Sequence, residues 1–359
     1  MNIIQHTHPQ PHTCRTWLRR ADYWPRTKRI AALISMLVAP GALAAEDHAA
    51  ASGELLADFT GPDYAGWTVI GPAFGKSPDS LEGVDSDAVR RVASSRRMLD
   101  SGKGADGSLF SPEFLITADF INILIAGGDH PFRASATLWL DGKAIRTSTG
   151  GNQEKPYWVT WDVGQYRGHK ALIGLHDLCI EDEMGYVIVE RIMTGPSARA
   201  RPGGNVSEAL AGVRRQAVEA IRRNAARAAA DPYRPIYHYT PPAQRMNDPN
   251  GPAWANGYHH VFYQHMVFVG HGAATNVHWG HARSKDLVNW ETLPLAIHPA
   301  YDAGELSCFS GNLAWDKNGD PVQFVTMVPY RKGAFRQIWP ARPLDPEWVR
   351  WERTPEFPP

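Results

Sequence analysis

Between Leu55 and Met193, short apolar runs alternate with clusters of Gly, Asp and Pro. The runs "LLADF" (55–59), "GWTVIG" (66–71), "FLITADFINILIAGG" (114–128), "ASATLWLDG" (134–142), "YWVTWDV" (157–163), "KALIGLHDL" (170–178) and "YVIVERI" (186–192) are rich in β-branched and aromatic residues. Each reads as a strand bounded by turn residues. Period-two alternation is plain in Ala136, Leu138 and Leu140, and in Val159, Trp161 and Val163 set against Trp158, Thr160 and Asp162. Asp141-Gly142 supplies the left-handed turn of a hairpin. Seven or eight short strands in about 140 residues predict a sandwich of two sheets.

The period then changes. In "NVSEALAGVRRQAVEAIRRNAARAAA" (205–230), Val206, Leu210, Val213, Ala217 and Ile221 recur at helical spacing, and Asn205 with Glu208 forms a capping box. The arginines lie largely off this stripe, so the segment reads as a solvated helix joining two domains and packed on one weak apolar stripe, rather than as a nucleic-acid-binding stripe. From His238 onward the pattern is again strand-like: "YHHVFYQH" (258–265), "NVHWGHARS" (276–284), "GNLAWD" (311–316) and "VQFVTMV" (322–328). Asn256-Gly257 and Asn318-Gly319 mark hairpins. Regular antiparallel units with recurring Trp and Gly predict propeller blades, with room for roughly two blades of four strands before Pro359.

Composition sharpens this picture in three ways. Thirty-seven basic residues balance thirty-seven acidic ones, which argues against nucleic acid or an anionic membrane as partner. Thirteen Trp, twelve Tyr and twelve Phe suit faces that stack on flat apolar surfaces such as sugar rings. Cys14, Cys179 and Cys308 lack zinc-knuckle spacing, and the last two read as buried thiols. Near the N-terminus, Arg26, Lys28 and Arg29 precede an apolar run (Ile30 to Val38), Pro40-Gly41 and Ala42-Leu43-Ala44. That order is a secretory signal, and the run is shorter than the ~20 residues of a membrane span. A secreted or periplasmic location with no membrane insertion after signal removal is expected.

The chemistry concentrates in "RMNDPNGP" (245–252). Pro249 restricts Asp248 to an extended backbone, and Asn250-Gly251 is expected to turn the chain back, leaving the carboxylate at a strand end. Two readings stand on the residues alone: a presented nucleophile, or an Asx turn whose carboxylate caps its own backbone. The wording goes further. "MNDPNGP", "YHHVFYQH", "HWGHARSKDLVNWETLPLAI" and "CFSGNLAWD", in that order, resemble the fructan and sucrose hydrolases of glycoside hydrolase family 32. The resemblance covers roughly Pro235 to Pro355, and the segment before the helix resembles the sandwich that precedes the catalytic domain in some bacterial members.

This resemblance implies an all-β chain: a leader and signal (1–45), a β-sandwich (50–196), a helical linker (197–231) and the first blades of a five-bladed β-propeller (232–359). It implies Asp248 as the catalytic nucleophile, Asn247 and Gln264 in the fructose subsite, and Trp279, Phe309 and Ser310 in the wall around it. Trp290 is assigned to blade packing, and no metal or cofactor is implied. The partner would be an oligo- or polysaccharide containing fructose. Arg245 stands where the family usually has Trp, which bears on substrate preference. The expected reaction is retaining hydrolysis by two carboxyls about 5 to 5.5 Å apart.

The family's acid, in Glu-Cys, and its sugar-gripping Asp, in Arg-Asp-Pro, are not found, so the propeller reads as truncated and the chain as incomplete or inactive. Among Glu291, Glu305, Glu347, Glu352 and Glu356, Glu305 lies nearest "CFSG". The histidines between His259 and His281 are expected to hydrogen-bond neighbours rather than hold an ion. Asp177 with Glu181, Asp182 and Glu183 reads as a solvated turn. The alternative to an enzyme is a secreted, non-catalytic carbohydrate-binding protein using Trp139, Tyr157, Trp158 or Trp161.

Overall fold

The computed structural model describes residues 53–81, 90–95, 105–179, 184–269, 276–330 and 337–354. The expected leader and signal, Cys14, Glu181 to Glu183, His271 and Glu356 lie outside the described residues.

The first region is a sandwich of two six-stranded antiparallel sheets. One runs in the order Gln153–Asp162, Phe120–Gly127, Val187–Gly195, Arg90–Ser94, Asp79–Leu81, with Glu54–Ala57 added to Val187–Gly195. The other runs Thr68–Ile70, Gly107–Phe110, Lys170–Asp177, Ala134–Leu140, Lys143–Ser148, with Phe114–Leu115 added to Lys170–Asp177. Ile121, Ile123, Ile125, Val187 and Val189 from one sheet meet Leu109, Ala136, Leu138, Ile173 and Leu175 from the other in a single core. Removing each such large aliphatic side chain from water stabilises the fold by roughly 1.5–3 kcal/mol. The hairpin at Asp141-Gly142 forms, with φ of 50° and 77° at its two central residues.

The apolar run 114–128 is not one strand. Phe114–Leu115 pairs with Lys170–Asp177 in one sheet, and Phe120–Gly127 pairs with Gln153–Asp162 in the other. Between them Ile116 is buried, and Asp119 is held by Arg167 at 2.7 Å. The strand thus switches sheets at a polar corner, which an unbroken hydrophobic pattern conceals.

A helix, Val206–Ala229, comes next. The Asn205 side chain accepts from the Glu208 N–H at 3.2 Å, so the capping box is half made. The helix packs on the apolar stripe that its spacing marks. Val206, Ala209, Leu210 and Val213 pack with Phe132, Trp139 and Leu178 of the sandwich and with Tyr301 and Tyr330 further along the chain. Phe132 and Tyr301 stack with ring centroids 5.7 Å apart. The sandwich is therefore joined to the C-terminal sheets through an apolar seam, with the helix wedged along it.

Two four-stranded antiparallel sheets complete the described chain, each a simple meander. The first comprises Arg245–Ala255, Tyr258–Val267, Asn276–Ser284 and Trp290–Ile297. The second comprises Glu305–Trp315, Pro321–Pro329, Gln337–Pro343 and Trp351–Arg353. These are blade-like units of a partial β-propeller. Asn256-Gly257 makes the expected two-residue turn, with φ of 54° and 76°. Phe262 and Trp279 of the first sheet share a core with Cys308, Val325, Ala341 and Trp351 of the second. Cys179 and Cys308 are buried thiols, as their spacing suggests.

Candidate active site

The strand Arg245–Ala255 decides how Asp248 is displayed. It does not turn back at Asn250-Gly251; it continues as an eleven-residue strand. Its register with Tyr258–Val267 slips instead. Met246 pairs with His265 and Pro249 with Tyr263, so Asn247 and Asp248 together oppose Gln264. A second slip between Asn250 and Ala253 sets Gly251 and Pro252 against Val261. These are β-bulges, which interrupt the ladder, bend the strand and re-aim side chains. Pro249 is tolerated because the ladder is broken beside it. The expected strand end before a tight turn is thus replaced by a bulge inside a strand, and Asp248 is exposed there.

Glu305–Trp315 carries the matching irregularity. Phe309 pairs with Thr326 and Gly311 with Val325, leaving Ser310 as the extra residue. The two bulges meet. The Ser310 hydroxyl donates to Asp248 Oδ2 in a short hydrogen bond. Gln264 Nε2 donates to Ser310 Oγ at 2.9 Å, and Asn247 Nδ2 donates to Gln264 Oε1 at 2.9 Å. Four residues singled out in the sequence therefore form one relay, Asn247 to Gln264 to Ser310 to Asp248. The carboxylate is held by a hydroxyl sixty-two positions away, not by its own backbone.

Around the relay the residues divide into display and support. Asn247 is exposed, while Phe309 and Ser310 are half-buried. Gln264 is 4% exposed, with both ends of its amide engaged, so it sets the neighbouring groups more than it meets solvent. Trp279 departs from expectation. It is fully buried and offers no surface to a sugar; its indole N–H donates to the Phe309 carbonyl at 3.0 Å. Its place is behind the wall. Trp290 packs against Tyr239, 5.7 Å between centroids, in keeping with a role in blade packing.

Asn250 has the sequence context of a turn residue, yet it ties the two bulges together. It is 2% exposed; its Nδ2 donates to the Asp248 carbonyl at 3.2 Å and its Oδ1 accepts from the Gly311 N–H at 3.1 Å. Gly311 is required where it stands, since a methyl group there would lie 1.8 Å from the Phe324 carbonyl oxygen. Gly251, at φ 48°, would place one 2.6 Å from Gln323 Oε1. An amide and a glycine on neighbouring strands are visible in the sequence, but their convergence needs the second sheet.

The other carboxylates are committed elsewhere. Glu305 is fully buried, paired with Arg353, and accepts from the Ala300 N–H at 2.8 Å. Burial pushes its carboxyl up, and the Arg353 charge opposes that. A group so enclosed is no stand-in for the acid. Glu291 is paired with Arg283 at 2.7 Å, and Glu347 and Glu352 are exposed. The histidines pair off: His260 with His281 at 2.9 Å, and His278 with His298 at 3.1 Å. Burial holds His278 and His281 well below the usual histidine range and brings His298 down to about 4.

Residues 238–353 match the Glycosyl hydrolases family 32 N-terminal domain. This part of the chain is a family 32 domain. Over 131 residues the chain is 40% identical to the insoluble β-fructofuranosidase isoenzyme CWINV5 of Arabidopsis thaliana, covering 35% of this chain and 22% of that protein. It is 49% identical to a levanase of Bacillus subtilis over 86 residues, covering 24% of this chain and 12% of that one. The crystal structure of fructan 1-exohydrolase IIa from Cichorium intybus aligns with a TM-score of 0.31 at 36% identity, covering 36% of this chain and 24% of that one. The chain spans about a fifth of the length of the first of these curated relatives. The family 32 domain thus includes both bulged strands and the whole relay.

Proposed function

We propose that the family 32 domain contributes the nucleophile side of a site that hydrolyses β-fructofuranosidic bonds in fructans or sucrose by a retaining mechanism. Asp248 attacks the anomeric carbon of a fructosyl unit and forms a covalent ester. Asn247, with Gln264 behind it, receives the sugar hydroxyls; Phe309 and Ser310 form the adjoining wall. Ser310 keeps the carboxylate pointed at the reacting carbon until attack. A carboxylic acid must protonate the leaving oxygen, and water then releases fructose. That acid is not among the carboxylates placed above, so hydrolysis by these 359 residues of substrates with poor leaving groups is expected to be slow or absent. Loss of a general acid alone typically removes 10²–10⁴-fold in rate.

The observation that carries this reading is the relay itself. A surface turn has no need of a buried glutamine, a cross-sheet serine and paired bulges to hold one exposed carboxylate. The organisation proposed is a sandwich (50–196), a linker (197–231) and a catalytic region (232–359), exported as a secreted or periplasmic protein. Among the described residues no helix is long and apolar enough to cross a membrane. The purely carbohydrate-binding reading keeps only the half-buried Tyr157 and Trp158 of its four aromatics. Trp161 is fully buried, Trp139 nearly so, and Trp158 lies under the Arg199 guanidinium at 4.6 Å.

A substrate that needs no acid tests the nucleophile separately. β-Fructosyl fluoride expels fluoride without protonation. The purified chain should release a burst of fluoride approaching one equivalent, and Asp248→Asn should release none above background. Equal release from both proteins would refute the assignment.

A further inference from the structure

An unassigned feature lies at the seam between sandwich, helix and propeller sheets. A groove of about 790 Å³ runs there, bordered by Arg146, Asp162 and Gln165 of the sandwich, Arg201 and Glu208 at the entry to the helix, and Asp302 of the turn Tyr301–Ala303. Its volume falls within the roughly 300–1,000 Å³ typical of ligand sites. Val206 and Leu210, which line the groove, also pack into the apolar cluster with Phe132 and Tyr301.

The lining chemistry narrows the ligand. Arg146 is pinned: it donates to the Ile145 and Asp162 carbonyls at 2.7 and 2.6 Å and lies over the Tyr166 ring at 5.4 Å. Its remaining N–H groups, and those of Arg201, can only donate, whereas the three carboxylates can only accept. Two cations and three anions give the groove no dominant sign, which disfavours a polyanion or a polycation. The side chains interleave donor-only and acceptor-only groups with Ile145, Tyr166, Pro202 and Leu210, so the lining is mostly polar with apolar patches between. A chain of hydroxyls, each both donor and acceptor, is the complement.

We propose that this groove is a second, non-catalytic sugar-binding surface that takes a neutral oligosaccharide and holds polymer on the protein independently of Asp248. That the oligosaccharide is a fructan rests on the function proposed above. Isothermal titration of the full chain with levan-type and inulin-type oligosaccharides provides the test. The background is Asp248→Asn combined with Asn247→Ala, so that binding at the candidate active site is weakened. Saturable binding should persist there and fall at least tenfold when Gln165→Ala and Arg201→Ala are added, both being exposed positions whose loss leaves the fold intact by circular dichroism. No binding in that background, or binding indifferent to the groove changes, overturns the proposal. Failure of the function itself would look different: groove binding retained, with no fluoride burst from the unmodified protein.

Discussion

The sandwich and the propeller sheets are made of the same antiparallel strands but bury different things. The sandwich core is a continuous apolar block, mainly Ile, Val, Leu and Ala with Phe59, Phe74 and Trp161, between two faces. The propeller sheets enclose the histidine pairs, the amides of Asn250 and Gln264, and the Glu305–Arg353 ion pair. In the sandwich the main buried cluster is apolar, with polar side chains such as Asn122, Arg133, His176 and Asp177 buried around it. In the propeller sheets, much of the specification is polar and directional, and the two bulged inner strands use it to place one carboxylate. Apolar packing tolerates small shifts; a hydrogen-bonded relay does not. The difference suggests that the sandwich supplies stability and the bulged strands supply chemistry.

The largest effect that would sharpen this contrast is expected from Arg353→Ala. It strands the Glu305 carboxylate in the interior, a change that costs about 3–5 kcal/mol in comparable buried pairs. Denaturant unfolding followed by Trp fluorescence would read it. Ile123→Ala in the sandwich should cost about 2–5 kcal/mol through its cavity, while leaving the fluoride burst of the remaining folded protein unchanged. A burst lost in step with stability would break the division between the regions.

Acid titration reads the buried histidines of both regions, since burial also brings His176 of the sandwich down to about 3. His278, His281 and His298 are held neutral by burial, so between the ordinary histidine pKa of 6.5 and about 4, as for His298, the unfolded chain binds more protons than the native one. Stability therefore rises with pH across that window and levels off above it, by at most about 1.4 kcal/mol per pH unit for each histidine. His298→Gln should flatten the slope measured by denaturation at a series of pH values. The smallest expected effect is that of Ser310→Ala. It should leave stability within about 1 kcal/mol yet slow the fluoride burst roughly tenfold, since it removes one charge-assisted hydrogen bond from Asp248.

The sandwich is legible in the sequence because alternation and turn chemistry are local. The Asp141-Gly142 hairpin and the strand cores all arise from residues within a few positions of one another. The split of 114–128 is not legible, because a sheet switch leaves an apolar run intact. At the site, resemblance points to the participants, but neither it nor spacing predicts the bulges. Asn250-Gly251 carries the letters of a turn, and only the pairing with Tyr258–Val267 shows that the strand absorbs them. The motif around Trp279 places it in the sugar wall, whereas its burial is fixed by the second sheet packed over it. The role of Asn250 is hidden in the sequence because its partner Gly311 is sixty-one residues away.

Mapping a trapped intermediate tests the central claim most directly. The chain would be incubated with β-fructosyl fluoride, quenched in acid, digested and examined by mass spectrometry. The account predicts one fructosyl unit attached to the peptide that contains Asp248, and no such adduct from Asp248→Asn. An adduct on another carboxylate, or none on the intact protein under saturating reagent, would contradict it.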